Sequence, residues 1–388
     1  MQATSRIAMV DALRGYALLG LFLVHCVERF ELYWLQPAPD PWFDAVFALF
    51  SGKAFSIFAL LFGFSFATIM TNERARGGDF TIRFAWRLLL LFAIGTLHGL
   101  VYRGDILQVL AAVGLVMIPF DRVKSDRVLL ILAALLFLQL PLLVRAWAAA
   151  SGAGWGAGPP LFWSDTGLAT VASGSFADAV RVNAGPGMLS KWSFYLESGR
   201  AVDIAGLFLI GIVLQRRGLF ARAGEHRGRW LAVMAGGAVV WAAASLLEPM
   251  LPVSGQATAA FSRQAAFTEY RAIGATAFQA ALFVLAWHSP LKAPLAALAP
   301  AGRMTLTLYV GQSLVFAPVF YGYGLGLWHD MSNAQAIILG LAAFALQLAL
   351  APLWFRAFRY GPLEWLWRAA TRTSFDVPFR QGPAASAG

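Results

Sequence analysis

The chain has 388 residues, of which 59% are hydrophobic and only 13% charged, and its formal net charge is +10. A soluble globular domain carries about twice that charged fraction, so the composition excludes an ordinary soluble protein and predicts an all-α, polytopic helical membrane protein. Basic loops on the cytoplasmic side of a membrane account for the positive charge, and no nucleic-acid partner is expected. The single cysteine, Cys26, excludes a disulfide framework and a cysteine-rich zinc site.

Apolar runs bounded by charges or by Gly and Pro clusters predict about ten transmembrane helices in one domain, residues 1–379, followed by a disordered tail, residues 380–388. With ten spans, all segments rich in Arg and Lys fall on one side, and the positive-inside rule assigns that side and both termini to the cytoplasm. The predicted spans lie near residues 7–28, 43–70, 84–102, 105–120, 128–148, 196–215, 230–248, 270–288, 303–325 and 334–356. The basic segments are 71–83, 121–127, 216–229 and the tail from Arg356 to Arg380.

Residues 149–195 form a long segment on the opposite side that is rich in Gly, Pro and Trp. The segment is too apolar for a solvated loop and too interrupted for a membrane span. An interfacial stretch anchored by tryptophan side chains explains this composition. A lid over an outward opening is the functional alternative.

The first predicted span carries three polar residues that a membrane helix does not normally hold, Asp11, Arg14 and His25. Helical periodicity places all three on one face, with Arg14 and His25 about 16 Å apart along the axis. A charge inside a membrane costs several kcal/mol unless it is paired or faces a wet cavity. Asp11, one turn before Arg14, is the expected partner in a structural ion pair.

A second polar cluster lies where the third predicted span ends and the fourth begins, at His98 and Asp105. A carboxylate that fixes the tautomer of an imidazole creates an oriented base. The alternatives are a helix cap for Asp105 and a buried structural histidine for His98. His25 is predicted at the same depth, so the two histidines and the carboxylate form a candidate proton-transfer centre. No metal is expected there, since carboxylate and thiolate ligands are few.

Three further polar residues lie within predicted spans, Lys53, Tyr309 and Gln312. Lys53 follows Gly52 in the second span, where it either faces a cavity or extends its amine to the membrane interface. Tyr309 and Gln312 in the ninth span either contact substrate or join neighbouring helices by hydrogen bonds.

Six sequence blocks run through nearly the whole chain in the order found in a known family. They are DALRGYALLGLFLVH, KAFSIFALLFGFSF, RLLLLFAIGTLHGLVYRGDIL, LFLIGIVLQRRGLF, GRMTLTLYVGQS and YGPLEWLWR. By these blocks the chain resembles the YeiB-like family of bacterial inner-membrane proteins, which is a domain-of-unknown-function family (number 418). The resemblance implies a multi-pass protein of the bacterial inner membrane, and His98 and Asp105 are typical of its third block.

The first span also resembles a wider group of transmembrane acyltransferases, which includes bacterial polysaccharide O-acyltransferases and heparan-glucosaminide N-acetyltransferase. In the O-acyltransferases an Arg, ten intervening residues and a His mark the first span, and Arg14 and His25 match that pattern here. The resemblance implies that His25 is a catalytic base or acyl acceptor and that Arg14 binds the acyl donor. Many YeiB-like members have Asn at the position of His25, so this role does not extend to the whole family.

Two functions from different classes follow. The first is an acyltransferase that passes an acyl group from cytoplasmic acyl-CoA, of the acetyl-CoA type, to a hydroxyl or amine of a sugar or envelope molecule. Arg83, Arg87 and Arg303 at the cytoplasmic rim would then hold the donor phosphates, although positive-inside topology predicts such a rim regardless. The second is a transporter or export component with a charged pathway, against which the lack of an internal repeat argues. A homodimer is compatible with either.

Overall fold

The computed structural model describes residues 6–164, 166–251 and 255–381, and these are almost entirely helical. No β-strand occurs among them, apart from a single bridge between Phe358 and Arg380. The predicted all-α class is therefore confirmed. The α-helices are α1 Ala8–Val27, α2 Pro41–Phe50, α3 Lys53–Ala75, α4 Thr81–Val101, α5 Leu107–Met117, α6 Asp126–Phe137, α7 Leu140–Ala150, α8 Gly154–Ala157, α9 Leu168–Ser173, α10 Phe176–Ala184, α11 Pro186–Glu197, α12 Arg200–Arg216, α13 Arg227–Leu247, α14 Ala257–Trp287, α15 Lys292–Ala296, α16 Ala299–Arg303, α17 Thr305–Phe320, α18 Asn333–Ala357 and α19 Pro362–Arg372. Short 3₁₀ helices cover Leu32–Leu35, Ile118–Arg122, Leu161–Trp163 and Glu248–Met250.

Six helical segments in the described residues are long and apolar enough to cross a membrane, so this is a multi-pass membrane protein. A seventh is added if α14 and the α15–α16 segment are taken as one span bent by 113°. Three other predicted spans contain helices that are shorter than these six segments. Helix α5 has 11 residues, α12 has 17 and α17 has 16. The count of ten spans stays a prediction. The six segments are Ala8–Leu35, Pro41–Ala75, Thr81–Val101, Asp126–Ala150, Arg227–Met250 and Asn333–Ala357.

Two of the predicted spans are each built from two helices. The second span breaks between α2 and α3, where Gly52 has a φ of +77°, a conformation that glycine adopts without a steric penalty. The fifth span breaks between α6 and α7 at Gln139, which has a φ of +51° although it is not glycine. Local backbone conformation of this kind is not visible in a hydropathy pattern.

The basic segments lie together at one end of the helix bundle, which we call the basic end. Arg74 donates to Asp121 at 2.7 Å, and Arg217 donates to Asp126 at 2.9 Å. The tail is joined to the same end, since the Trp86 indole donates to the Ala370 carbonyl at 3.1 Å. The shared side that the loop charges predict is therefore present. Of the predicted tail, residues 382–388 lie outside the described part of the chain.

Close helix contacts hold the first helix in place at the basic end. A Cβ atom at Gly15 would overlap the carbonyl of Leu298, and one at Gly302 would overlap the backbone of Asp11. Only glycine permits two backbones to approach this closely, as is common between membrane helices. This contact between α1 and α16 fixes the position of Asp11 and Arg14 along the axis of the bundle.

The segment 149–195 folds into short helices that cover the end of the bundle opposite the basic end. Trp155 and Trp163 are exposed, which fits an interfacial anchor. In α10, the Asn183 amide donates to the Leu100 carbonyl at the end of α4, at 3.0 Å. The segment therefore both exposes tryptophan and covers the end of the bundle where His98 lies.

Candidate functional site

His98 and Asp105 form a buried hydrogen-bonded pair. His98 is in the last turn of α4, and Asp105 is in the turn that leads into α5. The distance from His98 Nδ1 to Asp105 Oδ2 is 2.7 Å, and both side chains are almost fully buried. The other carboxylate oxygen accepts from the Gln108 backbone N–H at 3.1 Å. Asp105 therefore contacts both the imidazole and the first turn of α5, and these are the contacts that the two sequence interpretations predict.

The second ring nitrogen of His98 has no such partner. His98 Nε2 is buried and makes no hydrogen bond to any described residue. A carboxylate next to Nδ1 favours the tautomer with the proton on Nδ1, which leaves a lone pair on Nε2. Buried polar atoms without partners are rare in folded proteins and often mark a functional site. In this tautomer the His98 Nε2 lone pair is able to accept a proton.

His25 lies in the same cluster, as its predicted depth requires. The His25 ring is 5.0 Å from the Tyr102 ring and 6.1 Å from the Tyr309 ring, measured between centroids. The His98 ring is 6.1 Å and 5.2 Å from the same two tyrosines. Helices α1, α4 and α17 thus bring two histidines and two tyrosines together. Among the described residues no group of His, Cys, Asp and Glu is arranged to hold a metal ion.

A cavity of about 460 Å³ extends from the basic end into the bundle. Its inner part is apolar, and it ends at Ile106, Leu107 and Tyr309, next to the histidine cluster. Its outer part carries most of the positive charge. The arginines that line it are Arg6, Arg14, Arg87, Arg303 and Arg368.

Arg14 projects into the wall of this cavity. Its guanidinium donates to Asp11 at 2.9 Å and to the Ser65 hydroxyl at 2.6 Å. Arg6 also donates to Asp11, so one carboxylate serves two arginines and the trio keeps a net positive charge. The predicted Asp11–Arg14 pair is present, and it leaves positive charge at the cavity wall.

Two arginines near the cavity mouth lie against aromatic rings. The Arg87 guanidinium carbon is 3.5 Å from the Trp367 ring centroid, and that of Arg303 is 3.7 Å from Phe355. Stacking orients a guanidinium without using its N–H groups. Arg303 Nε is buried and has no hydrogen-bond partner among the described residues. The mouth of the cavity therefore offers N–H donors to an anionic ligand such as a phosphate.

Three predicted site residues lie elsewhere. The Lys53 amine donates to the Phe47 carbonyl at 3.0 Å, at the break between α2 and α3, and Lys53 does not line the cavity. Arg83 is exposed and also lies outside the cavity lining. Gln312 donates to Gln347 at 2.9 Å and so joins α17 to α18, as expected for a polar residue between membrane helices.

Lys191 is a site residue that sequence reasoning missed. It lies in α11 of the covering segment, is buried, and donates to the Gln108 side chain. Gln108 in turn donates to Asp105 through its backbone and to Thr96 through its side chain, at 2.6 Å. A lysine within an otherwise apolar segment was the available signal. The covering segment is therefore linked by hydrogen bonds to the carboxylate that orients His98.

Glu364 of α19 is a second residue that the sequence did not single out. Its carboxylate lines the cavity and accepts from the backbone N–H groups of Leu306 and Thr307 at 2.7 and 3.1 Å. These contacts cap the start of α17, the helix that carries Tyr309. Burial raises the pKa of the Glu364 carboxyl, and the hydrogen bonds from Thr307 and Leu306 oppose that rise.

Two family models match separate parts of the chain. The model described as "Heparan-alpha-glucosaminide N-acetyltransferase, catalytic" matches residues 6–156, and the one described as "Protein of unknown function (DUF418)" matches residues 214–374. The site draws on both parts, since the two histidines and Asp105 lie in the first and Tyr309 and Arg303 in the second.

Relatives match over nearly the full length. "Uncharacterized protein YxaH" of Bacillus subtilis is 26% identical over 96% of this chain and 95% of its own length. "Uncharacterized protein YeiB" of Escherichia coli is 29% identical over 93% of this chain and 95% of its own. An "Uncharacterized 39.9 kDa protein in amylase 3'region" of Bacillus acidopullulyticus is 26% identical over 94% of each chain. These matches confirm the resemblance that the six sequence blocks predict: the chain is similar to YeiB-like proteins along nearly its entire length.

Proposed function

We propose that this protein is an acyltransferase of the bacterial inner membrane. It takes an acyl group from an acyl-CoA of the acetyl-CoA type at the basic end and passes it to a hydroxyl or amine of a sugar or envelope molecule that approaches from the opposite end. One observation carries the proposal. The buried His98–Asp105 pair, with Nε2 free, adjoins the inner end of a cavity whose outer part is lined by arginines.

The polarity of the cavity matches that of an acyl-CoA donor. Phosphates of a CoA molecule are anionic, and the arginines at the mouth, among them Arg87 and Arg303, supply positive charge for them. The apolar inner part suits the uncharged arm that carries the thioester. Arg14, in the second turn of α1, contributes positive charge to the cavity wall.

The histidine cluster, at the end where the acceptor enters, supplies the base. His98 Nε2 takes the proton of the acceptor hydroxyl or amine, while Asp105 holds the ring and stabilises the imidazolium that results. The same proton then passes to the departing thiolate. His25, which shares its two tyrosine neighbours with His98, is the alternative base. The match of residues 6–156 to an N-acetyltransferase catalytic model supports this class of reaction.

The test begins with donor binding to the purified protein in detergent, measured by calorimetry with acetyl-CoA. We expect saturable binding that Arg14→Ala weakens. Release of free CoA is then measured with a panel of amino sugars and other sugars as acceptors. We expect His98→Ala to abolish release while saturable donor binding persists, and to lower the thermal unfolding temperature because the buried Asp105 carboxylate loses its partner. His329→Ala, which changes an exposed histidine, is the matched control.

The variants also separate the two histidines. Loss of transfer in His25→Ala but not in His98→Ala would make His25 the base and leave His98 a structural residue. Wild-type turnover in both variants would refute the proposed chemistry. If neither acyl-CoA nor free CoA binds, the transporter becomes the better interpretation of the charged cavity.

A further inference from the structure

Tyr309 is the residue that separates the cavity from the histidine cluster. It is buried on α17 and lines the innermost part of the cavity. On its other side its ring packs edge-on to His98, with 5.2 Å between centroids. A molecule that reaches the end of the cavity meets Tyr309 before it meets the candidate base.

The Tyr309 hydroxyl is held by the backbone rather than by another side chain. Its oxygen accepts a hydrogen bond from the Ile106 N–H at 3.2 Å. Ile106 directly follows Asp105, so one short stretch of backbone positions both the tyrosine hydroxyl and the carboxylate that orients His98. No hydrogen bond donated by the Tyr309 O–H occurs among the described residues. Its proton is therefore available to an acceptor atom that enters from the cavity.

We infer that Tyr309 is a catalytic residue that donates a hydrogen bond to the carbonyl oxygen of the acyl donor. This inference rests on the proposed function and adds the group that stabilises negative charge in the transition state. A phenol fixed by a backbone N–H is preorganised, so it need not reorient as charge develops on the oxygen. The buried setting strengthens the hydrogen bond relative to water.

The acyl group moves from sulfur to the acceptor by addition and elimination. The acceptor oxygen or nitrogen forms a bond to the carbonyl carbon, and its proton passes to His98 Nε2. The carbonyl oxygen becomes an oxyanion, which accepts the hydrogen bond from Tyr309. The carbon–sulfur bond then breaks, the carbonyl re-forms, and the thiolate leaves with the proton that His98 returns.

A packing role is the competing explanation, because the Tyr309 ring contacts both histidines. Tyr309→Phe separates the two, since it keeps the ring and removes only the hydroxyl. Removing one donor of this kind lowers kcat by about 10²–10³-fold in other enzymes, and we expect a loss in that range with KM changed by less than about twofold. Tyr323→Phe is the matched control, because that hydroxyl makes no hydrogen bond to a described residue and lies outside the site.

A spectroscopic measurement tests the contact without turnover. The probe is a ketone analogue of acetyl-CoA in which CH₂ replaces sulfur and the carbonyl carbon is ¹³C. Its carbonyl stretch is recorded by infrared spectroscopy when it is bound to wild type, Tyr309→Phe and Tyr323→Phe. We expect a lower frequency in the wild type and the control than in Tyr309→Phe, because a hydrogen bond weakens the carbonyl bond.

The outcomes distinguish this inference from the proposed function. If acyl transfer proceeds but Tyr309→Phe keeps the wild-type kcat and carbonyl frequency, Tyr309 only packs and the acyltransferase proposal stands. If the wild type neither binds the analogue nor transfers an acyl group, both ideas fail. Loss of kcat together with a raised carbonyl frequency in Tyr309→Phe establishes the contact.

Discussion

Replacement of Gly95 by alanine tests whether the spacing between α4 and α5 sets the geometry of the His98–Asp105 pair. A Cβ atom at Gly95 would lie 2.7 Å from the Gln108 backbone nitrogen and 2.8 Å from Asp105 Oδ1. Both distances are shorter than side chains tolerate, so the start of α5 must move by about 0.5 Å to restore ordinary contact. Because one of the displaced groups is the carboxylate itself, its 2.7 Å contact with His98 Nδ1 must change.

The expected magnitudes follow from two opposing terms. Alanine in place of glycine favours a helix interior by about 0.8–1 kcal/mol, whereas overpacking a tight contact costs about 1–3 kcal/mol. Gly99→Ala is a matched control one turn later on the same helix, where the nearest atom would be Lys191 Nζ at 3.6 Å, an ordinary contact. Gly99→Ala gains the helix preference of alanine without the cost of overpacking. We therefore expect Gly95→Ala to be less stable than Gly99→Ala by about 1–3 kcal/mol.

Thermal unfolding in detergent measures the first effect, and acyl transfer measures the second. A misplacement of about 1 Å in a catalytic group can cost about 10²-fold in rate, so we expect a loss of up to that size in Gly95→Ala and near wild-type transfer in Gly99→Ala. If both variants unfold at the same temperature and transfer at the same rate, α4 and α5 are not packed as described. The reasoning about the histidine pair would then be refuted.

Three other outcomes are expected. Arg303→Gln should weaken binding of free CoA by about tenfold in calorimetry, since a charge-assisted hydrogen bond is worth about 1.5 kcal/mol or more. A pantetheine thioester, which has no phosphate, should bind as before. Equal losses of affinity for both ligands would show that Arg303 is not part of the phosphate site. Gly302→Ala should lower the thermal unfolding temperature, because its Cβ would overlap the backbone oxygen of Asp11, and an unchanged temperature would contradict the α1–α16 contact. Acetyl-CoA should be a better donor than octanoyl-CoA by kcat/KM, because the cavity ends at Tyr309, and a preference for the longer chain would show that the cavity continues past it.

The local features of this protein could be predicted from its sequence. Composition and apolar runs determine a helical membrane protein, and loop charges place the basic segments on one side. The Asp11–Arg14 pair follows from helical periodicity, because residues three apart lie on the same face. His98 and Asp105 are separated by one short turn, so their meeting is also a local event.

The rest of the site was decided by tertiary structure. Tyr309 meets His98, and Lys191 meets Gln108, only because helices far apart in sequence pack together. In a membrane protein the face toward lipid is as apolar as the face toward another helix, so hydropathy does not reveal which helices are neighbours. The same limit explains why Lys53 and Arg303 look equally promising in the sequence although only Arg303 lines the cavity. The sequence thus determined the helical membrane class and the local polar pairs, and helix packing decided which of those pairs share a cavity.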